Sequence, residues 1–202
     1  MNEILFWKYI EKIYYKHDIQ GAKRSYYDVE LIQKKILEEC LINHTVEEIA
    51  KFQSILCNKI RSLYLPKIGD IFNLTAYSFE KRHQFIRYIS TDGFVDFRTW
   101  IVFLGQENYN IFLHFQKEEE LLPYNLDSDW AYTSGLEYVT QEIYKSKNPS
   151  DPKNMLSYCE EYGFDLWLDD DSDSLFKNMN WDTLDQLYPK LFRKYQKHFS
   201  DK

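Results

Sequence analysis

Apolar side chains recur along most of this chain three and four positions apart, the repeat of a helix buried on one face. The clearest case begins at Thr45. Thr45 and Glu48 stand three residues apart ahead of an apolar run, the signature of a capping box in which each side chain bonds the other residue's amide. Ile49, Phe52, Leu56, Ile60 and Leu63 follow on one face, and Pro66 is expected to end that helix. Upstream, the spacing predicts a helix from about Asn2 to Lys16, capped by Asn2, with Phe6, Ile10 and Ile13 inward. A second runs from about Tyr26 to Leu41, with Ser25 and Asp28 as a weak capping pair. Downstream, a helix over Lys67 to His83 turns Ile68, Ile71, Phe72, Thr75 and Phe79 inward. The piece from Phe85 to Ile89 fits a helix end and a short extended segment equally well. Ser90-Thr91-Asp92-Gly93 signals another start, followed by Phe94, Phe97, Ile101 and Leu104 on one face and Gly105 as the C′ residue.

Beyond Gly105 the pattern is more broken. A short helix is expected from Gln106 to Phe115, then an acidic connection from Lys117 through Pro123. Ser128 and Asp129 can cap a helix from Trp130 to Tyr144. The stretch 148–152 is a break, a short helix runs on to Tyr162, and 163–180 reads as an acidic loop. Asn180 can cap Trp181 to Leu187, and Pro189 suits the first position of a last helix reaching about Phe199. No internal repeat is visible. The pattern predicts a mainly α fold, a single-domain multi-helix bundle with at most one short extended segment. Residues 1–145 form its helical domain, and 146–202 an acidic loop and C-terminal helices packing on it as one structural domain.

Composition agrees. The 202 residues include 17 Tyr, 14 Phe and 5 Trp but only 6 Gly and 5 Pro. So many large rings argue against disorder, and so few turn residues argue against an all-β fold. A chain of this length buries about 70% of its unfolded surface without disulfides or metal. Its three cysteines, Cys40, Cys57 and Cys159, are scattered and odd in number, so no disulfide framework is implied. The N-terminus lacks the basic and apolar regions of a signal peptide. No apolar run approaches the ~20 residues that span a bilayer. These features lead to an expected cytoplasmic location, and the abundance of Lys, Asn, Ile and Tyr fits an AT-rich bacterial genome.

Charge changes the picture most. Residues 1–117 carry 16 basic and 14 acidic side chains, a net of +2, whereas 118–202 carry 9 and 18, a net of −9. Within 156–185 nine acids face Lys177 alone. Nucleic acid and anionic membranes are disfavoured as partners. A basic protein is favoured, drawn to the C-terminal half.

Candidate chemistry concentrates in two places. In the segment from Thr91 to Trp100, Asp92, Asp96, Arg98 and Trp100 fall within two helical turns. An arginine beside two carboxylates at a helix start can orient a charged ligand. The plainer reading makes Asp92 a cap and Arg98 half of a buried ion pair, with Phe94, Val95, Phe97 and Trp100 packing. The second place is Asp169-Asp170-Asp171-Ser172-Asp173. Its alternating carboxylates open as a calcium loop does, yet Ser174 occupies the sixth position and Asn180 the twelfth, so the turn glycine and the closing carboxylate are missing. A solvated acidic loop that binds a partner through Asp169, Asp170, Asp171 and Asp173 is the expectation. Tyr124, Trp130, Tyr132, Tyr138 and Tyr144 could form a recognition surface, and the plainer reading is that half of them complete the core.

His17, His44, His83, His114 and His198 are dispersed with no ligand spacing, although His83 and His114 flank the Asp92 segment. Cys57 sits beside an apolar face, where a cysteine is an inert small hydrophobe. Metal sites, nucleotide loops and hydrolase elbows have no motif here, and no cofactor is called for. The leading expectation is thus an interaction module of immunity or regulatory type, and the alternative a small-ligand protein or enzyme using Asp92, Asp96 and Arg98.

Three features together resemble a known family. They are Phe6-Trp7 near the start, Asp92-Gly93-Phe94-Val95-Asp96-Phe97-Arg98-Thr99-Trp100 as a DGF-x-DFR-x-W string, and Gly105 after it. The chain resembles the bacterial domain-of-unknown-function family DUF4240 over roughly residues 2–145. Leu187-Tyr188-Pro189-Lys190-Leu191-Phe192 is similar to the tail of many members. Thr91 replaces a usual acid before the glycine, and Gln116-Lys117-Glu118-Glu119 replaces a usual Pro-Asp. The resemblance implies an α-helical domain and brings no established activity with it.

Overall fold

The computed structural model describes residues 1–18, 26–83, 91–124, 126, 136, 139–150, 155–161 and 181–196. Among them every regular element is helical, and the fold is mainly α. The N-terminal half holds α1 (Glu3–Asp18), α2 (Tyr26–Leu41), α3 (Val46–Ser62) and α4 (Pro66–His83). There follow α5 (Thr91–Phe103), α6 (Gln106–His114) and a single 3-10 turn, Glu118–Leu121. The C-terminal helices are α7 (Val139–Lys147), α8 (Met155–Glu161), α9 (Trp181–Leu187) and α10 (Pro189–Gln196).

Local chemistry sets several of these ends. Asn2 caps α1, its Oδ1 accepting from the Leu5 amide at 2.9 Å. Thr45 and Glu48 form the reciprocal box at the start of α3, with Glu48 N donating to Thr45 Oγ1 at 3.2 Å and Thr45 N to Glu48 Oε2 at 3.1 Å. Such a cap is worth about 1 kcal/mol. Pro66 departs from expectation. The preceding helix ends at Ser62 and Leu63 caps it, so Pro66 opens α4 instead, where its missing N–H is no loss. Gly105 is the C′ residue of α5, its amide bonding Val102 O at 3.1 Å. It also precedes α6 as N-cap at φ 92°, a backbone conformation costly for any residue but glycine. The acidic connection after Phe115 is an ordered 3-10 turn rather than a loop. The helix expected over Trp130 to Tyr144 appears as α7, running past Tyr144 to Lys147, and its expected first half falls outside the described residues.

At the centre lies α3, packed by α1, α5, α7 and α8. Ile49, Phe52, Leu56 and Ile60 on its inner face are fully buried, each contributing about 1.5–3 kcal/mol of transfer free energy. The unusual aromatic content explains how the layers lock. Phe6 meets Phe52 at 5.0 Å, Phe72 meets Phe94 at 5.4 Å, and Trp100 meets Phe112 at 5.8 Å. These ring contacts join α1 to α3, α4 to α5 and α5 to α6. One buried polar pair joins α3 to α7, with Thr140 Oγ1 donating to Gln53 Oε1 at 2.6 Å.

Candidate functional site

The first helical turns of α5 carry the DGF-x-DFR-x-W string. Its periodicity turns Phe94, Phe97, Arg98 and Ile101 toward the core, and all four are fully buried. Arg98 is the largest fully buried side chain in the described residues. Its Nε donates to Phe94 O at 3.3 Å, and its Nη1 donates to Ile60 O of α3 at 3.4 Å. The guanidinium also lies over the Phe94 ring at 4.5 Å and the Tyr64 ring at 5.2 Å. Main-chain carbonyls and π faces are among the groups that receive the charge. Trp100 is 5% exposed and packs between Phe97 and Phe112. Asp96 is half-buried and takes part in an interaction of its own. The side chain of Asp92 lies outside the described residues. The helix therefore brings Arg98 and Trp100 into the core together, while Asp96 sits nearer its surface.

Asp169, Asp170, Asp171 and Asp173 fall outside the described residues, as do Trp130, Tyr132 and Tyr138. Tyr144 is buried and Tyr124 half-buried, its hydroxyl donating to Asn108 Oδ1 at 2.7 Å. His114 is exposed at the end of α6, and the side chain of His83 lies outside the described residues. Three acids at the head of the C-terminal half have internal tasks. Glu118 accepts from Lys190 N at 2.9 Å and Leu191 N at 2.9 Å, capping α10 from 72 residues away. Glu119 pairs with the Lys190 ammonium, which holds its carboxyl below the usual range. Glu120 accepts from the Gln116 and Lys117 amides.

A second cluster has no local signature in the sequence beyond the capping box. Tyr9 Oη lies 2.7 Å from His44 Nε2, and His44 Nδ1 lies 3.1 Å from Glu48 Oε2. If Nδ1–H donates to the carboxylate, the neutral ring leaves Nε2 to accept the phenol, an arrangement able to pass a proton. The Thr45 amide first, and His44 second, hold Glu48 down at about 2. Burial pushes Tyr9 up, helped by Cys40 and Glu48. Alongside, the Lys12 ammonium donates to Cys40 Sγ at 3.6 Å. The histidine stands just before the N-cap of α3, four positions ahead of Glu48, but Tyr9 is 35 positions away, and no periodic pattern links them. Among the described residues no group of three metal-binding side chains converges.

A cleft of about 360 Å³ is lined by Glu3, Ile4, Trp7, Lys8, Glu11 and Gln106. Lys59 bonds Glu3 Oε1 at 2.6 Å and lies 5.6 Å from the Trp7 ring. That ammonium, aided by the Trp7 indole, depresses the Glu3 carboxyl.

Residues 1–146, which hold α1 to α6 and most of α7, match the model of the family described as "Protein of unknown function (DUF4240)". The chain belongs to that family. No curated protein matches it, and no solved structure does. Within the DUF4240 region the Phe6 and Trp7 side chains and the Phe94, Phe97, Arg98 and Trp100 side chains of the α5 string are buried. Phe6 and Trp7 pack on Phe52 and Tyr109, and Arg98 bridges α5 to α3. The helices beyond residue 146 are fastened to this region. Tyr188 donates to Asp70 at 3.4 Å, and Lys194 Nζ donates to Leu122 O and Tyr124 O. Burial with Asp70 beside it pushes Tyr188 up to about 12. No helix among the described residues is long and apolar enough to cross a membrane.

Proposed function

We propose that this DUF4240 protein is a bacterial cytoplasmic interaction module, of immunity or regulatory type, that binds a basic protein through its acidic, aromatic C-terminal half. The observation that carries the reading is the net −9 of residues 118–202 against +2 before them. A field of that asymmetry steers a cationic partner to one side of the molecule. Glu118, Glu119 and Glu120 are engaged within the fold. We assign binding to the run Asp169, Asp170, Asp171 and Asp173, where four of the remaining acids fall within five positions. Exposed Asp185 and the 60%-exposed Leu187 on α9 extend the same half as an acidic, partly apolar surface.

The alternative, a ligand site at Asp92, Asp96, Arg98 and Trp100, has weaker support. Arg98 has no exposed surface from which to meet a ligand and already bonds two carbonyls. A capture experiment separates the two. Wild-type protein should retain a stoichiometric basic partner from its native cell. A variant with Asp169, Asp170, Asp171 and Asp173 all changed to Asn should lose it. Equal capture by both would remove the acidic loop from the account. A small ligand retained by wild type and lost in Asp96→Asn would favour the α5 site.

A further inference from the structure

Three cysteines lie in very different surroundings. Cys159 is fully buried, and burial pushes its thiol up to about 11, away from the reactive anion. Cys57 is 1% exposed, and its sulfur accepts from the Gln53 amide at 3.4 Å. Cys40 is 8% exposed, and its sulfur accepts from the Lys12 ammonium at 3.6 Å. An ammonium hydrogen-bonded to a thiol favours the thiolate, the species that peroxide oxidises. The contact also sets an amine nitrogen beside the sulfur across a helix boundary, since Lys12 is on α1 and Cys40 near the end of α2. The Tyr9–His44–Glu48 hydrogen-bond chain lies beside the pair, and Tyr9 interacts electrostatically with both Cys40 and Lys12.

We propose that Cys40 and Lys12 are a peroxide-responsive modification site, at which oxidation of the thiol leads to a covalent sulfur–nitrogen bond joining α1 to α2. The chemistry balances with one hydrogen peroxide. The Cys40 thiolate attacks one peroxide oxygen, the O–O bond breaks, and the other oxygen leaves as water after taking a proton. Sulfur, oxidised by two electrons, is now a sulfenic acid. The Lys12 ammonium gives one proton to the sulfenic oxygen and a second to solvent. Its lone pair then forms the S–N bond as the S–O bond breaks and water departs. Sulfenic acids condense with nitrogen in this way when one is held against them. The bond is opened again by two external thiols: the first attacks the sulfur and frees the amine, leaving a mixed disulfide, and the second displaces Cys40 as the thiol while the two external sulfurs join as a disulfide.

The test is peptide mapping of the full chain after brief treatment with hydrogen peroxide, without reductant. A peptide joining Lys12 to Cys40 should appear, lighter by two hydrogens than the sum of its parts, and should vanish on adding dithiothreitol. Cys40→Ser should abolish it. Lys12→Arg should abolish it too, while leaving a Cys40 sulfenic acid that a dione reagent traps. The Arg variant keeps the cation, so its loss of the link reports the missing nucleophile and not a missing charge. Oxidation of Cys57 or Cys159 at an equal rate would overturn the proposal. So would Cys40 recovered only as sulfinic acid, or a cross-link that retains an oxygen.

Discussion

Arg98 places a permanent charge where no atom is exposed, held by two carbonyls and two aromatic faces. Removing it leaves a cavity and frees Ile60 O from its partner on α5, so Arg98→Ala is expected to cost about 3 kcal/mol in urea unfolding. Arg98→Lys should recover little, because an ammonium lacks the fork that reaches both carbonyls. A variant within about 0.5 kcal/mol of wild type would show that the guanidinium does not bind α5 to α3. Glu48 tests the electrostatics of the capping box. Its folded value, about 2, lies below the ordinary 4.5, so its contribution is present above pH 4.5 and is lost as pH falls toward 2. Thermal melts from about pH 6 to about pH 2.5 should therefore show an acid-side decline. Glu48→Gln should flatten part of that decline, and an identical slope in the variant would count against the assignment.

Elements whose signals are local are legible in the amino-acid pattern alone. Asn2, the Thr45–Glu48 box, Gly105 and Pro189 each act within a few residues of themselves, and helix ends follow from them. The periodic runs in α3 and α5 point to the faces that are buried. Pro66 is ambiguous in sequence because proline both stops a helix and starts one, and only the Ser62 end decides it. Contacts between distant residues leave no trace in the pattern. The Glu118 cap on α10 spans 72 and 73 positions, and the Tyr9–His44 bond spans 35. The burial of Arg98 agrees with the plainer reading of its segment, but the Phe94 and Ile60 carbonyls that accept from it are not marked in the pattern. At this scale Glu118→Ala should cost about 1 kcal/mol, as other lost caps do. Hydrogen exchange should quicken at the amides of 190–196 while those of α3 stay protected. Uniform quickening would mean that the loss is global.

At the scale of the molecule, the buried side chains of the described residues form one continuous cluster from Phe6 to Tyr195. Met155, Cys159, Leu184, Leu191 and Tyr195 from beyond the family boundary are all buried within it. We therefore infer that the two parts fold as one unit, and that a chain ending at residue 146 is insoluble or melts well below the full chain. A soluble fragment with an unchanged melting temperature would assign the C-terminal helices to a separate domain. We propose that charge in the acidic C-terminal half drives binding. The most direct test is the affinity for the captured partner, measured by titration calorimetry at ~50 mM and ~500 mM salt, where screening lengths differ about threefold. The account expects affinity to fall steeply with salt for the wild type and far less for the variant carrying Asn at 169, 170, 171 and 173. Affinity unchanged by salt, or equal in the two proteins, would contradict it.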